Sequence, residues 1–230
     1  MKTIKQIFTV TLLMVFMLGF FSVVGQSNPK NPYDYAGKQH NKIVSDFLKK
    51  YSTTKFSDKQ LVFVNNLIDN YKIRGKKLTI NEINFIMNDY KNDFKNVVDK
   101  AKLSLIERKL VQELINNMLN MSYNEKVTYK IFYNSVVSLE NRILSNKKLS
   151  PSQMKNLLEL TSIARYSGFL WNDFYSIKNT SSKMSFQENS YLKKRWWKWL
   201  IIVAADVAGG AYGGVGGASG ASTAANTILK

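Results

Sequence analysis

The 230-residue chain carries 33 Lys and Arg against 16 Asp and Glu, a formal charge of +17, with one histidine and no cysteine. The missing thiols exclude disulfides and thiolate metal sites, a single imidazole is too few for a transition-metal centre, and no cofactor is expected. The lysines are scattered and no aromatic–basic RNA-binding motif occurs, so the expected partner is an anionic membrane or envelope surface and not nucleic acid.

Taken in chain order, residues 1–25 place Lys2 and Lys5 before the apolar run 7–21 and end in Val23-Val24-Gly25. That is the charged, apolar and small-residue pattern of an export signal, with cleavage expected after Gly25 and an uncleaved anchor helix as the alternative. The chain is therefore expected to be exported, to the periplasm, outer envelope or medium, and to be membrane-associated there.

Residues 26–177 are predicted to be all-α, a compact bundle of about six helices. Asn31-Pro32-Tyr33-Asp34 reads as a first helix start. Ser or Thr followed three residues later by Glu or Gln lets each side chain satisfy a free backbone N–H at a helix start. The pattern occurs at Ser57/Gln60, Thr79/Glu82, Ser104/Glu107, Ser122/Glu125, Ser150/Gln153 and Ser185/Glu188, with Pro151 at the first position of the fifth. Apolar residues follow at spacings of three and four: Leu61, Val64, Leu67 and Ile68; then Ile83, Ile86, Met87, Tyr90, Phe94 and Val97; then Ile106, Leu110, Leu114 and Met118. Tyr129, Phe132, Val136, Leu139 and Ile143 continue the pattern, as do Met154, Leu157, Thr161, Ala164 and Trp171. Strand-like alternation is nearly absent, and the short polar connections favour antiparallel neighbours.

Catalytic candidates are thin. His40 lies in NPYDYAGKQHN, six residues after Asp34, a spacing that puts the two on different helix faces. It is expected to be structural or to lie on the surface, and Asp34 to favour the positive end of a helix dipole. The glutamates at capping-box positions have a structural role, which leaves Glu113, Glu140 and Glu159. None sits in a motif for glycan hydrolysis, and no catalytic residue is assigned.

Residues 178–185 read as a linker, and 186–230 as a distinct tail. Lys193, Lys194, Arg195, Trp196, Trp197, Lys198 and Trp199 form a cationic, indole-rich patch suited to a membrane–water interface. An uncharged Gly/Ala tract follows, broken only by Asp206 before Lys230. Seven of the twelve glycines lie there: Gly209, Gly210, Gly213, Gly214, Gly216, Gly217 and Gly220. Spacings of four stack small residues on one helix face, where two backbones approach closely, and Asp206 shares that face. The tract is predicted to be a hydrophobic helix or a helical hairpin, with a flexible tail as the alternative. A lone stop-transfer span is disfavoured, because Asp206 costs about 2.5–3.5 kcal/mol at a helix centre and the flanking charge opposes the positive-inside rule.

GGAYGGVGGASGA resembles a glycine-zipper segment, as in bacterial envelope proteins and some membrane-permeabilising bacteriocins. KKRWWKW ahead of it is similar to the cationic aromatic end of two-peptide bacteriocins. The start NPYDYAGKQHN resembles the mature start of uncharacterised exported bacterial proteins. The cationic patch and the glycine spacing point to membrane association, a homo-oligomer built through the glycines, or both. The expectation is an exported, non-enzymatic envelope protein. A secreted membrane-permeabilising toxin is the second reading and a cell-wall hydrolase the third.

Overall fold

A computed structural model describes residues 26–51, 56–124, 126–180 and 198–228. Residues 1–25, Lys193–Trp197 of the cationic patch and the Ser185/Glu188 box lie outside them. The described residues are all-α. Seven helices run α1 Tyr35–Lys50, α2 Asp58–Asn70, α3 Ile80–Asn88, α4 Lys95–Lys100, α5 Leu105–Ser122, α6 Tyr129–Ser145 and α7 Pro151–Thr180. An eighth, α8 Lys198–Ile228, is the Gly/Ala tract.

Local chemistry sets most of the boundaries. Thr79 and Ser104 each accept the backbone N–H three residues on, while Glu82 and Glu107 reach back to the cap. Ser150 and Gln153 exchange the same two bonds ahead of α7. Two starts differ from the sequence reading. Ser122 closes α5, its hydroxyl bonding the Leu119 carbonyl, and Thr128 caps α6 instead. The single stripe expected from Ile83 to Val97 is split between α3 and α4. A 3₁₀ turn, Asp89–Asn92, and two left-handed residues, Asp93 and Phe94, separate them. This is why the count exceeds six.

α8 is a hairpin. Gly213 and Gly214 leave helical geometry, and Gly214 has a φ of 65°, which favours glycine. The arms, 198–212 and 215–228, then pack back to back. Gly210 faces Ala218, Gly209 faces Gly217 and Ala221, and Asp206 reaches Ser222. A Cβ on Gly217 would lie 2.3 Å from the Gly209 carbonyl oxygen, so the arms meet backbone to backbone.

The hairpin lies at the centre of the bundle, and the expected division into bundle and separate tail does not match the packing. α8 packs against α1, α2, α3, α4, α5 and α7, and Trp199 reaches α6 through an edge contact on Phe132 at 5.2 Å. Leu200, Ile202, Val203, Ala204 and Val207 are completely buried. Each fully buried Leu, Ile or Val side chain among them contributes roughly 1.5–3 kcal/mol. An element enclosed on all sides needs no polar face, which explains why the tract shows no amphipathic pattern.

Candidate functional site

The segment that opens the described chain is a working part of the interior. Asn28 and Asn31 donate to the two Glu140 carboxylate oxygens, both at 2.6 Å. Thr161 donates to Glu140 at 3.0 Å, and Arg165 Nε bridges both oxygens at 3.1 Å. The Arg165 guanidinium also donates to the Gln26 carbonyl and to Asp34. Asp34 further accepts Ser27 and Tyr166 hydroxyls at 3.0 and 2.8 Å. Burial opposes ionisation of Asp34, but Arg165 and the two hydroxyls outweigh it and hold the carboxyl below its usual range. Glu140 and Arg165 are fully buried. α1 fits this seam because Gly37 has no Cβ, which would lie 2.4 Å from the Tyr166 ring.

One helical turn further, His40 meets the hairpin. Its Nε2 stands 3.5 Å from Asp206 Oδ2, and both side chains are fully buried. Asn41 donates its amide to the Tyr166 carbonyl, so its own oxygen faces His40 Nδ1 at 3.0 Å. Nδ1 therefore carries the proton and Nε2 presents a lone pair to Asp206. Ser167 and Ser222 hydroxyls donate to Asp206, and Trp171 donates to Ser222 at 3.0 Å. Burial pushes the Asp206 carboxyl well above the usual carboxylate range and lowers His40 to about 4. The separation would permit an ion pair, but desolvation disfavours charge on both partners, and His40 Nε2 and Asp206 Oδ1 are buried without a hydrogen-bond partner among the described residues.

The hairpin turn forms the third region. Lys76 N donates to the Gly213 carbonyl at 2.7 Å, and Gly75 pairs with Gly214 in an isolated antiparallel bridge. Gly213 and Gly216 lie against Lys76, and Gly220 lies against Ile83 and Leu78. Two adjoining clefts, of about 500 and 370 Å³, flank the turn and share Asn156, Glu159, Gly214 and Val215.

These positions redistribute the residues singled out in the sequence. The hairpin gathers Asp206 and all seven tract glycines, but it does so within one chain. Trp199, expected at a membrane interface, is buried because α6 and the hairpin enclose its indole. Lys198 is half-buried at the hairpin's start. Of the spare glutamates, Glu140 is sealed in the seam, Glu113 pairs with Arg142 on the surface, and Glu159 lines both clefts. They do not form one site. Among the described residues no three His, Asp or Glu side chains gather as metal ligands. No family model matches the chain, and no curated protein or solved structure matches it. The seam of Asn28, Asn31, Asp34, Glu140 and Arg165 was missed in the sequence. Its only local signal was an asparagine- and aspartate-rich start, and its partners lie more than a hundred residues away.

Proposed function

We propose that this is an exported, non-enzymatic envelope protein that engages anionic membranes, and that the C-terminal hairpin is the element that enters the lipid. One observation carries the reading. The segment Lys198–Thr227 is long and apolar enough to cross a membrane, yet it is stored inside a sheath of amphipathic helices. The net charge, +17 for the chain and +15 once residues 1–25 with Lys2 and Lys5 are removed, favours the first encounter with an anionic surface. Each arm of the hairpin is roughly 22 Å long, short of a hydrocarbon core of about 30 Å, so the folded hairpin would reach into one leaflet.

Self-association through the glycines would require the hairpin to leave the bundle first, since Gly209, Gly210 and Gly217 are covered within it. A disulfide lock tests the reading. A Cβ built on Gly220 lies 4.0 Å from Leu78 Cβ, within the 3.5–4.5 Å that a disulfide spans. The chain has no cysteine to interfere. Oxidised Leu78→Cys/Gly220→Cys should bind anionic vesicles without releasing an entrapped dye, and reduction should restore release. Equal release from the oxidised and reduced forms would refute hairpin insertion.

A further inference from the structure

The hairpin is almost wholly enclosed, but away from its two ends it comes to the surface at Ala211, Tyr212 and Gly214. That window opens into the two clefts beside the turn. Their walls carry Lys72, Arg74, Lys76, Lys100, Lys102 and Lys155, against a single carboxylate, Glu159. Glu159 is already engaged, accepting Tyr35 Oη at 2.6 Å with Lys155 Nζ at 3.9 Å. The nearby Glu82 is taken by Lys76, Thr79 and Tyr212. Among the described residues Lys72, Arg74, Lys100 and Lys102 have no carboxylate within ion-pair distance, and all four are exposed. Cations converging on a concave surface focus a positive potential there, whereas the same charges spread over a helix would not.

We propose that this cationic cleft is the docking site for the phosphate head groups of an anionic membrane. The inference rests on the membrane reading above and specifies where on the molecule contact begins. Two further features fit the partner. Tyr212 lies with its ring 4.9 Å from Lys76 Nζ and 6.4 Å from the Phe85 ring, an amphipathic aromatic at the mouth of the cleft. Lys100 lies 4.2 Å over Phe85, so cation and apolar surface alternate along the rim. The floor is the turn itself. Head groups held by the rim therefore bring the half-buried turn of the hairpin to the lipid, with the apolar arms directly behind it. Lys76 links the two, because its side chain pairs with Glu82 and its backbone N–H holds the Gly213 carbonyl.

The test compares two charge-matched variants of the full chain. Lys100→Glu/Lys102→Glu inverts two rim charges. Lys147→Glu/Lys148→Glu makes the same change on an exposed loop outside the cleft. Vesicles of phosphatidylcholine containing one-third phosphatidylglycerol are sedimented with each protein, with circular dichroism as the check on folding. The rim variant should lose at least tenfold in vesicle affinity and the loop variant less than threefold. Parent binding should weaken as salt rises. Equal losses in the two variants would mean diffuse charge attraction and would overturn the cleft. So would saturable binding of inorganic phosphate that leaves vesicle binding unchanged, because the cleft would then hold a small anion. Loss of the cleft with dye release still blocked by the disulfide lock leaves hairpin insertion standing. A parent that binds no anionic vesicle removes both.

Discussion

His40 shows how a single buried side chain ties the N-terminal seam to the hairpin. Its ring is held neutral in the folded protein at a pKa of about 4, against about 6.5 unfolded, so the unfolded chain takes up the proton first. The associated stability, about 3 kcal/mol, is fully present above pH 6.5 and is lost as pH falls toward 4. Asp206, held protonated in the fold, contributes in the opposite sense in both proteins, so the urea midpoint of His40→Gln should rise relative to the parent's as pH falls from 7 to 4. A His40→Gln profile parallel to the parent's would show that other groups govern the acid limb. Sequence spacing separated His40 from Asp34 correctly: one faces Asp206 and the other Arg165. It could not supply either partner, because residues brought together by a helix crossing leave no local period.

At the scale of elements, the hairpin depends on backbone contact more than on side chains. Leucine at Gly217 would drive its Cβ into the Gly209 carbonyl, so the arms could not close without displacing the core. Gly217→Leu should therefore lose its cooperative thermal transition. Gly214→Ala should fold with a stability lower by about 1–3 kcal/mol from the positive φ. A Gly217→Leu protein that melts like the parent would mean that the arms are not in contact. The spacing of the glycines predicted close backbone approach and allowed a hairpin, but it left the opposing surface open. A face of small residues looks the same whether its partner is another copy or the next arm. Caps were legible where they are local, at Thr79, Ser104 and Ser150. Ser122 failed because the helix begun at Ser104 reaches it, which makes it a last residue and not a first.

For the whole molecule, the tract that stands apart in composition is the part every other helix surrounds. The periodic stripes on α1 to α7 were read as burying one another, when much of what they cover is the hairpin. Residues 26–185 alone should therefore lack a core. The fragment should keep helical far-ultraviolet dichroism, lose near-ultraviolet signal and bind ANS, as expanded compact states do. A fragment with a sharp thermal transition and native near-ultraviolet spectrum would show that the seven helices form a core unaided.

The enclosure of α8 also orders events in time. The ribosome makes the hairpin after every helix it packs against, and the seam joins residues 26–34 to α6 and α7 across separations of 106 to 139 residues. Contacts of such long range are slow to form, because closing the intervening chain costs entropy before any contact compensates it. Helices α1, α6 and α7 can dock on one another as they emerge, but the interior that all seven enclose is filled only once the hairpin is made. The nascent chain thus lacks its interior until late in synthesis, and its apolar stripes stay exposed to chaperones on the way.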